Sequence, residues 1–185
     1  MAGRIESLDL LMTATASEDA ATRLVALSAL AELPSPQALP TLARAVSDPD
    51  EAVRTAALGF IASRGGPDAT RTLIGFLSDG HVAQKAASAL TIPADGRVEG
   101  LLHALEGADD ELAPQLTSAL ARLNRADASA ALEQATTLKN APARKAAATT
   151  LAAVGKRSSI ELLRALAQND PAPEVRRVAS LLLAQ

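Results

Sequence analysis

Imidazoles are the obvious place to look for chemistry, and this chain has only two, His81 and His103. Glu99 precedes His103 by four residues, so on a helix the pair shares one face and offers two metal ligands. No third or fourth ligand stands at a matching spacing, and the pattern reads as an exposed polar pair. His81 follows the turn signal Asp79-Gly80 at a helix start. Serines occur without a Gly-x-Ser-x-Gly elbow, and the glycines form no phosphate loop. Cysteine is absent, which removes disulfides, thiolate zinc sites, iron–sulfur clusters and a cysteine nucleophile. These residues assign no catalytic group, no metal site and no cofactor.

Arginine is the next candidate. Arg54 and Arg176 sit in two related stretches, SDPDEAVRTAALGFI (47–61) and NDPAPEVRRVASLLL (169–183). A guanidinium fork there suits either an anion or a structural carboxylate. Overall charge points away from nucleic acid, with 18 Lys and Arg against 21 Asp and Glu and a net of −3. Two aromatic residues, Phe60 and Phe76, cannot build a stacking platform for bases or flat cofactors. The charges are nonetheless uneven. Residues 95–111 hold Asp95, Glu99, Glu106, Asp109, Asp110 and Glu111 against Arg97, whereas residues 139–164 hold Lys139, Arg144, Lys145, Lys156, Arg157 and Arg164 against Glu161. Such tracts keep a surface soluble, and the second could steer an acidic partner.

The elements that position these groups follow from composition. Of 89 apolar residues among 185, 72 are Ala or Leu, the strongest helix formers, so an all-α protein is expected. An Ala-x-x-x-Leu/Ile ruler recurs at Ala26, Ala57, Ala86, Ala119, Ala147 and Ala179, at intervals of 28 to 33 residues. Another amphipathic segment precedes each ruler, with pairs such as Leu42 and Val46 or Leu101 and Leu105. Asp-Pro, Gly-Gly-Pro, Asp-Gly and single Gly or Pro residues separate the segments. Twelve helices in six hairpins result, over roughly 4–33, 36–63, 67–92, 95–123, 127–154 and 157–185, in one domain spanning 1–185. Glu6 and Asp9 interrupt the first apolar run, unlike a secretory leader, and no window is long enough to span a membrane. A cytoplasmic protein is expected.

This pattern resembles the HEAT-repeat family, in particular its short bacterial form of the phycobilisome-lyase type. The likeness rests on Asp48, Pro49, Val53, Arg54 and Ala57, and on Asp170, Pro171, Val175, Arg176 and Ala179. Asp19, Arg23 and Arg144 retain parts of it, while Ala83 and Leu116 stand where the arginine is expected. The resemblance implies an α-solenoid, a right-handed superhelix of stacked hairpins. It also implies an Asp–Arg ladder between repeats, a structural role for Arg54 and Arg176. Related HEAT-like hydroxylases bind iron through His-Glu dipeptides, and HEAT-like glycosylases use Trp and Tyr; this chain has neither. Tetratricopeptide repeats are longer and richer in aromatics.

In that family the second helices line the concave side. Counting from the ruler Ala, positions two before and two after point away from the core. The first set is Leu24, Thr55, Gln84, Thr117, Lys145 and Arg177; the second is Ser28, Gly59, Ser88, Ala121, Thr149 and Leu181. From these, Gln84, Lys145 and Arg177 are taken as partner contacts, with Thr55, Ser88 and Thr149 as the floor. Gly59, Gly75 and Gly100, isolated within helices, suggest close packing or exposed backbone. Leu181, Leu182 and Leu183 cover too wide an arc for one hairpin to bury, so Leu181 marks an edge for self-association or for further repeats. The expected function is a non-catalytic scaffold that binds another protein along its concave helices. A lyase or enzyme-assembly subunit of the phycobilisome-lyase type is the alternative.

Overall fold

Asp19 and Asp50 show how this Ala-rich chain is cut into helices. Asp19 accepts the backbone N–H groups of Ala21 and Thr22, and Asp50 those of Ala52 and Val53, so each satisfies donors that a first turn leaves open. Pro67, Pro142 and Pro173 occupy first turns, where their missing N–H costs nothing. The computed structural model describes residues 2–123, 126–155 and 157–185, with side chains from residue 8 onward except those of 157 and 158. Lys156 and the side chain of Arg157, part of the basic tract, lie outside the described residues.

The chain divides into two compact units, Met1–Asp95 and Gly96–Gln185. The first holds α1 (Ala2–Ala14), α2 (Ala20–Glu32), α3 (Ala38–Ala45), α4 (Glu51–Arg64), α5 (Gly66–Gly75) and α6 (Ala83–Leu90), with a 3-10 turn at Phe76–Ser78. The second holds α7 (Arg97–Leu105), α8 (Leu112–Arg122), α9 (Ala126–Ala135), α10 (Ala141–Val154), α11 (Arg157–Asn169) and α12 (Pro173–Leu183). Twelve α-helices and no strand occur among the described residues. Odd-numbered helices pack on the even-numbered ones that follow them. The second helices also touch in series, α2 on α4 and α4 on α6 in one unit, α8 on α10 and α10 on α12 in the other.

Leu30, Leu42, Ile61, Leu73 and Leu90 are fully buried in the first unit, as are Leu101, Leu105 and Leu116 in the second. Around them the small residues Ala26, Ala57, Ala86 and Ala147 let the second helices approach one another. Gly65 joins α4 to α5 at φ 68°, the left-handed region, with the backbone oxygen of Asp95 only 3.2 Å from where a Cβ would sit.

The fourth ruler is displaced. Asp109 accepts the N–H groups of Glu111 and Leu112, in the pattern of Asp19 and Asp50, so the ruler position of this hairpin is Leu116 and not Ala119. Leu116 is buried, and with it the ruler spacings narrow to 29–32 residues. The physical cause is the alanine content. Where Ala recurs every three or four residues, an Ala-x-x-x-Leu pattern slips by one helical turn without penalty. The shift turns Thr117, expected to face outward, into a buried residue, and places Ala113 at the arginine position. Pro114 falls within the first turn of α8, where it is tolerated.

Candidate partner-binding face

The polar residues divide between the turns and the outer side of the second helices. At the turns, Arg23 of α2 donates from Nε and Nη2 to the two carboxylate oxygens of Asp48, at 2.8 and 2.7 Å. Its Nη1 reaches the carbonyls of Ser17 and Glu18. Arg144 of α10 repeats this on Asp170, at 2.7 and 2.8 Å, and on the carbonyls of Leu138 and Lys139. Hydrogen bonding from Arg23 holds the Asp48 carboxyl below the ordinary aspartate range. Burial works against ionisation of Asp170, but the bonds from Arg144 and from the Ala172 N–H outweigh it, and its pKa is also lowered.

The ladder is therefore real, but Arg54 and Arg176 occupy only half of it. Arg54 Nη1 donates to the carbonyls of Asp48 and Pro49, and Arg176 Nη1 to those of Asp170 and Pro171. Neither makes an ion pair among the described residues. Where the next hairpin would offer an aspartate to Arg54, the chain has Leu77.

On the outer side of the second helices, Thr55, Gln84, Ser88, Thr149 and Arg177 are exposed. Ser88 Oγ donates to the carbonyl of Gln84 and Thr149 Oγ1 to that of Lys145, so both hydroxyls turn back on their own helix. Lys145 is half-buried and bound to Asp110, with Nζ 2.5 Å from Oδ1. Lys85 makes the same link in the first unit, to Glu51 Oε1 at 2.8 Å and to Thr55 Oγ1 at 3.0 Å. In each case a lysine near the start of one second helix reaches back to an acid at the start of the one before, Glu51 as the first residue of α4 and Asp110 in the turn that leads into α8. The acid and the lysine lie about one repeat plus one turn apart, a spacing that could have been read from the sequence. Lys145 is thus tied to its own chain, and the acidic and basic tracts partly neutralise each other. Arg177 makes no ion pair among the described residues. Leu181 is 59% exposed, whereas Leu182 packs against the cluster of Ala148, Leu163, Leu166, Val175 and Ala179.

Two other residues, His103 and Arg97, differ from expectation. His103 Nδ1 lies 3.4 Å from Glu106 Oε2, one turn ahead, and its partner is not Glu99. Among the described residues no group of three or more His, Cys, Asp or Glu side chains gathers around a common point. Arg97, counted as a surface charge, is almost wholly buried at the start of α7, and burial lowers its pKa. For Gly59 and Gly75 the structure selects exposed backbone over close packing, since a Cβ at either meets nothing within 4 Å.

Helical hairpins stitched at their turns by arginine–aspartate rungs, with a second-helix face left open, define an α-helical repeat protein. The chain belongs to the HEAT-repeat family, whose repeats match residues 8–91 and 98–184. Among solved structures it is similar to human deoxyhypusine hydroxylase in complex with glycerol, at 16% identity over 96% of this chain and 83% of the other, TM-score 0.42. The complex of CpcE and CpcF of phycocyanin lyase from Nostoc sp. PCC7120 aligns at 20% identity over 93% and 74%, TM-score 0.43. A designed armadillo repeat protein in complex with the peptide (KR)4 aligns at 19% over 96% and 98%, TM-score 0.38. No curated protein matches. No helix among the described residues is long and apolar enough to cross a membrane.

Proposed function

We propose that the protein is a non-catalytic, cytoplasmic scaffold that binds a partner protein along the outer side of its second helices. One observation carries this reading. On the exposed ridge the Ser88 and Thr149 hydroxyls donate to their own helices and the Thr55 hydroxyl accepts from Lys85, leaving methyl and methylene surface for a partner to cover. At Gly59 the ridge drops to bare backbone, and a partner segment there meets no side chain. Gln84 adds a polar group to the ridge of the first unit and Arg177 one to the ridge of the second, where it favours an acidic residue opposite it.

The natural variants for the test are Gln84→Arg and Arg177→Glu, because neither side chain is recruited by a neighbouring repeat. Lys145→Glu is a poorer choice, since it sets a second acid beside Asp110. Affinity capture with wild-type and doubly substituted protein, each checked for intact helicity, is expected to lose the bound partner in the variant. Retention of every captured protein by the variant overturns the assignment of this face.

A further inference from the structure

The outer edge of α12 copies the edge by which α10 receives its neighbour. On α10 that edge consists of Arg144, Ala148 and Leu151, all buried. Arg144 grips Asp170, and Ala148 packs with Val175 and Ala179 of the following hairpin. The matching residues of α12 are Arg176, Ser180 and Leu183. Leu30, Ile61, Leu90, Leu120 and Leu151 occupy the leucine position elsewhere and are at most 3% exposed, whereas Leu183 is 37% exposed. Leu27, Leu58, Thr117 and Ala148 occupy the middle position and are buried, and Ala87 there is half-buried; Ser180 is exposed.

Arg176 is also prepared as Arg23 and Arg144 are. In all three, Nη1 is pinned by two carbonyls of the preceding turn. In Arg23 and Arg144 this leaves Nε and Nη2 side by side for one carboxylate. We propose that Arg176, with Leu183 and Ser180, is a receiving edge for a helical hairpin of a partner protein led by an aspartate turn. Its carboxylate completes the Arg176 fork, and an apolar face like that of Val175 and Ala179 covers Leu183.

A second copy of this chain fits less well. The first hairpin has Ser17 at the rung position, where Oγ makes the same turn bond to the Asp19 N–H that Asp48 and Asp170 make to theirs. Ser17 has one neutral oxygen where the fork needs two charged ones. Two copies joined edge to edge would set Arg176 against Arg176, a like-charge contact. Of these two occupants, a hairpin of another protein is the better fit.

This edge is distinct from the ridge of the proposed function, and its test does not depend on that reading. The probe is a synthetic peptide of residues 156–185, which carries the Asp170 turn, titrated onto the full-length protein. Arginine side-chain N–H signals and leucine methyl signals are followed by NMR. Saturable shifts are expected at Arg176 and Leu183, with Arg23 and Arg144 unmoved. The peptide with Asp170→Asn should bind at least about tenfold more weakly. On Arg176→Gln protein, confirmed to be folded by its thermal transition, the two peptides should bind alike. Leu183→Asp protein, which keeps the fork, should bind neither. No movement of the Arg176 and Leu183 signals at millimolar peptide overturns the proposal, and so does equal binding of both peptides to wild type. Concentration-dependent self-association of wild type that Arg176→Glu abolishes would make the occupant a second copy and overturn the choice of partner.

Discussion

Two junctions in the second unit, α8 with α10 and α10 with α12, join the same kinds of helix by different chemistry. Between α10 and α12 the lock is the buried Arg144–Asp170 rung. Between α8 and α10 there is no rung, because Ala113 and Leu138 stand at the two positions. Instead Asn140 donates from Nδ2 to the carbonyls of Leu105 and Ala108, at 2.7 Å each, and Thr150 Oγ1 donates to Thr117 Oγ1 at 2.9 Å. Turn carbonyls must be satisfied in both places. One junction does so with a charged group that needs its own counter-charge, the other with a neutral amide. The Lys145–Asp110 pair also spans the α8–α10 junction, but its acid is exposed, and such a pair is worth about 0–1 kcal/mol.

Cutting the charged junction should have the largest effect. Arg144→Ala leaves the Asp170 carboxylate buried without its partner, and two turn carbonyls lose a donor as well. A loss of about 3–5 kcal/mol in denaturant unfolding is expected. Asn140→Ala, at the neutral junction, removes two hydrogen bonds but strands no charge, so about 1–3 kcal/mol is expected. Equal losses from the two variants would show that charge makes no difference to how the hairpins are locked.

Acid should separate the junctions further. The Asp170 pKa is lowered in the folded protein, so its contribution is present above the unfolded carboxylate value of about 4 and is lost as pH falls through the folded value. Asp48 behaves the same way in the first unit. Hydrogen exchange followed from pH 6 to pH 3 should show α11 and α12 losing protection more steeply than α8 and α9. Asp170→Asn should lower protection at pH 6 and flatten that dependence. If α8 and α12 lose protection in parallel in the wild type, the rung does not control the acid response.

Much of this architecture was legible as spacing, and the exceptions share a cause. The Asp, Gly and Pro turn signals and the Leu pairs locate every hairpin, because these residues end a helix or fix its buried face. Alanine does neither, so the register of α8 is ambiguous by one turn in the sequence, and Thr117, which the pattern expects outside, lies inside. At the candidate face the exposed positions Thr55, Gln84, Ser88, Thr149 and Arg177 follow from helical geometry alone. The links Lys85–Glu51 and Lys145–Asp110 need a second signal, the spacing of about one repeat plus one turn that reflects how far one second helix is offset from the next. Arg97 shows the same limit from the other side, because nothing in its neighbouring residues distinguishes a buried guanidinium from an exposed one.

The smallest expected effect tests what the threonine pair contributes to the neutral junction. Thr117 is fully buried, and its Oγ1 donates back to the carbonyl of Ala113 while accepting from Thr150. Valine has nearly the same shape and removes both bonds. The Ala113 carbonyl keeps its helical role, and half-buried Thr150 can bond to water instead, so Thr117→Val should cost under about 1 kcal/mol. The double variant Thr117→Val/Thr150→Val removes donor and acceptor together and should lie closer to wild type than the single one. Were Thr117→Val instead to cost as much as Asn140→Ala, the hydroxyl pair would be a second lock of equal weight. The rungless junction would then be held along the length of its helices and not at its turn.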